Sequence, residues 1–363
     1  QESRVIIKFS RVVVRATRSN RDMTRKEYMK RQHYDLIAIG GGSGGLAVAE
    51  KAAGFGRKVA IIEKYRIGGT CVNNGCVPKK VMWYAENLAH AVDDAAGFGI
   101  PAQRDKTDWQ RLVAGREQYI RSISDYWNGH VDDSGIDHIE GNAVFVNDTS
   151  VEVNGRRYTA DHIVIATGSQ PIVPQLPGEE LGMTSDSFFG LQSQPQRVAV
   201  IGGCYIAVEL GGMLGALSSD VTVVALEDRL LERFDPMISR VLEQEMNRQG
   251  IRVETGFEVT SLSETAGGIT VQSRSGKALD GFDAVIWAVG RMPNIRTLNL
   301  EATGVGVQQD GIIPVDDFQN TSVPGIYAIG DVTGKVPLTP VAIAAGRRLA
   351  ERLFNGQFDR KVD

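Results

Sequence analysis

The sequence contains only three cysteines, Cys71, Cys76 and Cys204, among its 363 residues. This is too few for the disulfide framework of a small secreted domain, so each cysteine has to be interpreted individually. Long apolar runs are also missing, because no stretch reaches the roughly 18 residues that a membrane-spanning helix needs. None of the five histidines lies beside a cysteine in the sequence, which argues against a zinc site. The sequence therefore predicts neither a transmembrane segment nor a metal site.

Acidic residues are scarce at the N-terminus. Residues 1–32 carry ten lysines and arginines against three carboxylates, a net charge of +7, whereas the whole chain has a net charge of -4. Three interpretations fit this basic extension: a remnant of an organelle-targeting segment, an arm that docks on RNA, anionic lipid or an acidic surface such as that of a protein assembly, or a solvated tail. The first interpretation places the protein in a mitochondrial or plastid matrix, and the others leave it in the cytoplasm. The negative overall charge gives no reason to expect a nucleic-acid partner.

Glycine is abundant, with 41 residues, and the most informative glycines follow a short apolar run. Residues 34–39 read YDLIAI and lead into GGGSGG at residues 40–45, a helical stretch, and a second apolar run that ends at Glu63. This is the order of a Rossmann dinucleotide-binding unit. Gly40 permits the tight turn, Gly42 lets backbone amides approach a pyrophosphate, and Gly45 lets the helix pack on the sheet. Glu63 is placed to accept hydrogen bonds from a ribose.

A second, imperfect copy of this pattern begins at residue 198. The apolar run VAVI is followed by Gly202, Gly203 and Cys204, then by a helical stretch and a strand that leads to Glu227. Two such units predict an α/β protein with two Rossmann-like dinucleotide-binding domains. Cys204 replaces the glycine at which the backbone approaches the pyrophosphate, so its Cβ weakens or abolishes the second site. The alternative interpretation is a vestigial domain kept for packing.

Cys71 and Cys76 enclose a short loop directly after the first Rossmann unit. Pro78 is typical of the first turn of a helix, which places Cys76 at the N-terminal end of that helix. There the helix dipole, together with Lys79 and Lys80, lowers a thiol pKa and favours a thiolate. We therefore interpret the pair as a redox-active dithiol, against the alternative of a passive structural disulfide.

These motifs together resemble the glutathione reductase branch of the FAD- and pyridine-nucleotide-dependent disulfide oxidoreductases. The resemblance rests on GGGSGG, GGTCVNNGCVPKKVMW, IATGS, CYIAVEL, AVGRMPN, GIYAIGD and LTPVAIAAGRRLAERLF. It implies an FAD-binding domain at residues 33–170, an NAD(P)-binding domain inserted at 171–291, and a central domain at 292–363 that completes the FAD site. Residues 1–32 precede these domains as the basic extension.

The resemblance also implies roles for individual residues. Cys76 would be the thiolate facing the flavin, Cys71 the thiol that exchanges with substrate, Lys79 and Glu209 a pair beside the flavin, and Tyr205 a gate to the nicotinamide pocket. The implied FAD-binding residues are Gly40, Gly42, Ser43, Gly44, Gly45, Glu63, Thr70, Cys71, Lys79, Ala143, Gly168, Asp331 and Thr339. The implied NAD-binding residues are Gly202, Ile206, Glu209, Glu227 and Gly290.

Two departures from the family pattern concern the nicotinamide cofactor and the substrate. NADPH-specific relatives carry arginines where this chain has Leu226 and Glu232, and Glu227 lies between them, so NADH is the expected donor and NADPH the less favoured one. Glu50 stands where glutathione reductases bind a substrate carboxylate with arginine, which favours an amidated glutathione-type disulfide as in the glutathione amide reductases. The expected substrate-cleft residues are Ser43, Glu50, Tyr119, Trp127 and Arg347.

A third departure concerns the end of the sequence. Family members continue into an interface domain that supplies a catalytic histidine and glutamate from a partner subunit, and this domain is absent from residues 1–363. Either the sequence is truncated or the protein is naturally short, and the family homodimer is in doubt. Two functions are therefore carried forward: an NADH-dependent disulfide oxidoreductase, and a catalytically impaired FAD-binding accessory subunit of a larger assembly.

Overall fold

The protein is described here by a computed structural model that covers residues 32–362. The strands are β1 His33–Ile39, β2 Val59–Glu63, β3 Asp137–Glu140, β4 Val144–Asn147, β5 Ser150–Val153, β6 Arg156–Ile165, β7 Ser169–Pro171, β8 Gly182–Thr184, β9 Arg197–Ile201, β10 Asp220–Val224, β11 Arg252–Glu254, β12 Val259–Thr265, β13 Gly268–Ser273, β14 Ala278–Phe282, β15 Ala284–Trp287, β16 Arg291–Pro293 and β17 Ile326–Ala328. The α-helices are α1 Ser43–Gly54, α2 Gly69–Asn73, α3 Cys76–Ala95, α4 Trp109–Asp133, α5 Ser185–Phe188, α6 Tyr205–Ala216, α7 Pro236–Arg248 and α8 Thr339–Phe354. Short 3-10 helices lie at Ala96–Phe98, Glu179–Leu181, Leu300–Ala302 and Gly330–Thr333.

The first sheet has seven strands in the order β3-β2-β1-β6-β5-β4, with β17 paired to β6. Strands β1, β2 and β3 are parallel neighbours, and Ile37 pairs with Ala60 in the register. Apolar side chains cover both faces of this sheet, which is why β1 is a nearly continuous apolar run. Helix α1 connects β1 to β2, so the predicted strand, glycine turn, helix and strand are confirmed in this order.

The second sheet has five strands in the order β11-β10-β9-β15-β8, and its paired strands are parallel. A three-stranded antiparallel sheet, β12-β13-β14, shares one of its two apolar cores. The chain leaves the first sheet through β7 and returns through β16, and these two strands pair antiparallel. The second sheet is thus inserted between β6 and β17 of the first, and the predicted α/β fold with two Rossmann-like units is confirmed.

Helix α8 closes the first unit by packing against α1. A Cβ at Gly346 would lie 2.7 Å from the Gly44 carbonyl oxygen, so only glycine allows this close approach of the two helices. The strand β17 and the 3-10 helix at Gly330–Thr333 lead into α8. This places the N-terminal end of α8 beside the glycine turn that follows β1.

Helices α3 and α4 connect the two units. Met82 and Trp109 belong to the same apolar core as the second sheet. Arg116, which is 1% exposed, donates a hydrogen bond of 2.5 Å to the Phe189 carbonyl oxygen and pairs with Glu117 at 3.1 Å. A buried cation therefore ties α4 to the inserted unit.

The predictions about a membrane-spanning segment and about the basic extension concern the whole chain, and the structure describes residues 32–362. No helix within residues 32–362 is long and apolar enough to cross a membrane. The basic extension predicted at residues 1–32 lies almost wholly outside the described residues.

Candidate active site

The first glycine-rich turn forms an open cradle. Gly40 has a φ of 110°, a conformation that favours glycine. A Cβ at Gly42 would have only the Gly69 Cα nearby, at 3.8 Å, so the space beside this backbone is free. The Gly41 amide donates to a Glu63 carboxylate oxygen at 2.7 Å, and the Tyr65 amide donates to the other at 2.8 Å. Because each carboxylate oxygen retains a second lone pair, Glu63 can still accept from a ribose.

The groups around this cradle fit a flavin dinucleotide. The Thr167 hydroxyl is buried and has no hydrogen-bond partner within the described part of the chain. Gly168 has a φ of 64° and free space where a Cβ would stand. Ser43 begins α1, so its first turn offers free backbone amides to a phosphate. Gly44 and Gly45 lie in the first turn of α1, and Thr70 follows Gly69, whose Cβ would stand 2.7 Å from the Gly42 Cα. Asp331 accepts a hydrogen bond from Ser169, the Thr339 hydroxyl lies 4.0 Å from the Cys76 Sγ, and Ala143 is buried in the same apolar core as Ile39.

Cys71 lies in α2 and Cys76 begins α3, and both are free thiols. The two side chains lie next to each other, and the Cys76 Sγ is 4.0 Å from the Thr339 hydroxyl. The Cys71 S-H stabilises a Cys76 thiolate, with further contributions from Thr339 and the Lys79 ammonium, and this lowers the pKa of Cys76 to about 6. The same contact raises the pKa of Cys71. Of the two thiols, Cys76 is therefore the more easily ionised.

Lys79 and Glu209 meet across the site although they are 130 positions apart in the chain. The Lys79 Nζ donates to a Glu209 carboxylate oxygen at 2.9 Å, which joins α3 to α6. Lys79 is one helical turn after Cys76, so its charge stabilises a Cys76 thiolate. Tyr205 begins α6 and is 49% exposed. The partial burial of its side chain raises the pKa of its hydroxyl.

Sequence reasoning missed a polar network at the junction of the two units. Arg291 donates to the Ser169 hydroxyl at 2.8 Å and to its carbonyl at 2.7 Å, and Ser169 donates to Asp331 at 2.7 Å. Asp186 lies 3.6 Å from the Arg291 guanidinium. Asp331 is therefore oriented by residues that flank the inserted unit. Arg291 and Ser169 stand in the quoted strings AVGRMPN and IATGS, which were the available signals, whereas Asp186 stands in no quoted string.

The second glycine-rich turn borders a cavity of about 250 Å³. Gly202 has a φ of 139°, and the Cys204 thiol donates to the Ala288 carbonyl at 3.2 Å. Cys204 and Glu227 both line the cavity, and so does Glu258, which sequence reasoning did not identify. The residues lining this cavity include no lysine or arginine; they are Pro174, Leu176, Ile201, Gly202, Gly203, Cys204, Leu226, Glu227, Phe257, Glu258, Val259, Trp287, Ala288 and Val289. Of the remaining predicted NAD residues, Ile206 lies in the first turn of α6 and Gly290 follows β15.

The residues predicted for the substrate cleft are only partly brought together. The Glu50 carboxylate on α1 lies 3.4 Å from the His130 Nε2 on α4, and the Trp127 ring contacts the His130 ring edge to face. Tyr119 is 53% exposed and lies two turns before Trp127 on α4. Arg347 is exposed on α8, and within residues 32–362 it forms no hydrogen bond or ion pair with this group. His130 was missed because no sequence motif surrounds it.

Within residues 32–362 no group of histidine, cysteine or carboxylate side chains is arranged to hold a metal ion. The predicted chemistry involves the two dinucleotide cradles and the dithiol. A dithiol at the N-terminal end of a helix, beside a flavin cradle that is itself joined to a nicotinamide cradle, is the arrangement of a flavin-dependent disulfide reductase.

The chain belongs to the pyridine nucleotide-disulphide oxidoreductase family, whose profile matches residues 34–346. It is 42% identical over 341 residues to the glutathione reductase of Schizosaccharomyces pombe. This match covers 91% of this chain and 73% of that relative. It is 40% identical over 339 residues to the glutathione reductase of Yarrowia lipolytica, covering 89% of this chain and 72% of the relative. The resemblance inferred from the motifs is confirmed: the protein is an FAD-dependent disulfide oxidoreductase that also uses a pyridine nucleotide.

A solved structure supports the same conclusion at lower identity. The HOCl-induced flavoprotein disulfide reductase RclA from Escherichia coli matches with a TM-score of 0.82 and 28% identity, over 91% of this chain and 73% of that one. Its Cu(II) complex matches with a TM-score of 0.83. None of these relatives supports the alternative of an accessory subunit.

Proposed function

We propose that the protein uses NADH to reduce a glutathione-type disulfide with amidated ends. The observation that carries the reaction type is the Cys76 thiol, whose ionised form is stabilised by the Cys71 thiol and by the ammonium of Lys79, which pairs with Glu209. When bound at the first cradle, FAD would supply the two-electron chemistry that links the nicotinamide to the Cys71–Cys76 pair. The residues that would hold FAD are Gly40, Gly42, Ser43, Gly44, Gly45, Glu63, Thr70, Ala143, Gly168, Asp331 and Thr339.

The dithiol then reduces the substrate by two exchanges. Cys71 attacks one sulfur of the substrate disulfide, forms a mixed disulfide and releases the first thiol, which takes up the proton that Cys71 loses. The Cys76 thiolate attacks the Cys71 sulfur, forms the Cys71–Cys76 bond and releases the second thiolate, which takes a proton from solvent. The substrate gains the two electrons that the dithiol loses.

The reaction is tested by anaerobic titration of the purified protein with NADH. We expect flavin reduction followed by long-wavelength absorbance from the thiolate beside the oxidised flavin. A protein that contains FAD but shows neither change would contradict the proposal.

The preference for NADH rests on the cation-free cavity. An NADPH 2'-phosphate would stand near the Glu227 and Glu258 carboxylates with no lysine or arginine in the lining. We therefore expect kcat/KM for NADH to exceed that for NADPH by roughly tenfold to a hundredfold, the size of one or two such repulsions near a surface. Glu227→Gln should reduce this ratio. Glu264→Gln, which removes an exposed carboxylate on β12, should leave it unchanged, and a wild-type preference for NADPH would contradict the assignment.

The preference for an amidated disulfide rests on Glu50 and His130. Glu50 repels a free carboxylate at this end of the cleft, whereas an amide is neutral and can donate to it. We expect Glu50→Arg to raise kcat/KM for glutathione disulfide by roughly five- to tenfold and to lower it for the diamide. The kcat/KM of Glu50→Gln for glutathione disulfide should lie between those of the wild type and Glu50→Arg, because glutamine removes the repulsion without adding a cation. Equal effects on both substrates would show that Glu50 does not face the ends of the disulfide.

A further inference from the structure

Glu86 is a carboxyl group that the reaction above does not use. It lies on α3 seven residues after Lys79, so both side chains are on one face of the helix, two turns apart. A Cβ at Gly212 on α6 would be 3.2 Å from the Glu86 Oε1, so Glu86 packs against the helix that carries Glu209. Glu209 is three residues before Gly212 and binds Lys79 at 2.9 Å. The carboxyl groups of Glu86 and Glu209 therefore both lie where α3 contacts α6.

Among residues 32–362, no cation pairs with Glu86 to neutralise an ionised Glu86 carboxylate. Lys79 is already paired with Glu209, and Glu86 has no cation partner among residues 32–362. Arg116 on α4 is directed to Phe189, Met82 and Glu117. The titratable groups on α3 and on the helices packed against it include Cys71 on α2, Cys76, Lys79, Lys80, Tyr84 and His90 on α3, Arg116 and Glu117 on α4, and Tyr205 and Glu209 on α6. Burial, followed by the negative charge of Glu209, raises the pKa of Glu86 to about 7.

We propose that Glu86 is a positioning residue that binds a proton next to the Lys79–Glu209 pair and thereby makes the electron affinity of the bound flavin depend on pH. This inference rests on the proposed function, since the resemblance places Lys79 beside the flavin. With Glu86 protonated, the three side chains sum to no net charge. With Glu86 ionised they carry one negative charge, which opposes the negative charge that a reduced flavin gains.

The first test follows the carboxyl group itself. We expect the infrared difference spectrum between about pH 6 and about pH 8.5 to contain a protonated-carboxyl band in the wild-type protein. Glu86→Gln should lack that band. Asp94→Asn, which removes an exposed carboxylate from the same helix, should retain it. A wild-type protein without the band, or a Glu86→Gln protein that keeps it, would overturn the inference.

The second test measures the flavin midpoint potential in the same three proteins. Near pH 6 the midpoint potentials of all three proteins should agree, because a protonated Glu86 is as neutral as glutamine. Near pH 8.5 the flavin of the Glu86→Gln protein should be reduced more easily than that of the wild type. The equilibrium constant for flavin reduction should be larger by roughly two- to tenfold, as expected for the removal of one charge near the surface. Identical potentials for wild type and Glu86→Gln at both pH values would refute the role.

The two tests distinguish this inference from the proposed function. The infrared band reports Glu86 without substrate or nicotinamide. A normal Glu86 titration in a protein that does not reduce disulfides would overturn the proposed function alone. A working reductase whose potential does not respond to Glu86→Gln would overturn this inference alone.

Discussion

Replacing Cys76 with serine is expected to lower kcat/KM for the disulfide substrate by on the order of 10⁴, with FAD still bound. Serine cannot form the Cys71–Cys76 bond, and its hydroxyl does not ionise near neutral pH, so the second exchange cannot occur. The long-wavelength absorbance that follows reduction should also be lost, because it depends on the Cys76 thiolate. Steady-state assays and an absorbance spectrum of the reduced protein measure the two effects.

Variants of Cys71 provide the matched comparison. Cys71→Ser should lose turnover to the same extent but keep the thiolate absorbance, since Cys76 remains and the serine hydroxyl can still donate to it. Cys71→Ala removes this donor, so the pH midpoint of the absorbance should rise. In the wild-type protein the absorbance should appear as pH rises through about 6 and disappear below it, because the pKa of Cys76 is lowered to about 6. Thiolate absorbance in Cys76→Ser would reverse the assignment.

Arg116→Ala is expected to destabilise the protein by about 3–5 kcal/mol. The substitution leaves a cavity between α4 and the inserted unit, and it removes the donor that satisfies the buried Phe189 carbonyl. It also leaves Glu117 without its partner. Urea denaturation, followed by tryptophan fluorescence and by flavin release, measures the loss.

Arg121→Ala is the control for this prediction. Arg121 is exposed and lies on the same helix, so its removal changes helix propensity and net charge in the same way. We expect a change within about 0.5 kcal/mol. If the two variants were equally stable, the buried contact to Phe189 would contribute nothing measurable.

The first unit was predictable because its signals are local. Strand, glycine turn, helix and Glu63 follow one another within thirty positions, and each element has its own steric reason. The dithiol was predictable for the same reason, because Pro78 marks where α3 begins and therefore which thiol the helix dipole reaches.

The contacts that the sequence could not predict all join distant segments. Spacing alone cannot show that Lys79 binds Glu209; only the family resemblance implied that pair. Glu258 reaches the nicotinamide cavity from the segment between β11 and β12, far from the second glycine turn. His130 and Glu86 acquire their partners only when α4 packs near α1 and α3 near α6, and such packing leaves no motif in the sequence.

The insertion between β7 and β16 has a consequence for how the protein folds. The second sheet is built from one continuous segment, β8 to β15, whereas the first needs β17 to pair with β6 across more than 150 intervening positions, as in Ile163 with Ile326. Closing so long a loop is slow relative to local pairing. On a ribosome the inserted unit can therefore be complete while the flavin cradle still lacks Asp331 and α8. Cofactor capture is then a late event, coupled to synthesis of the segment that contains β17 and α8.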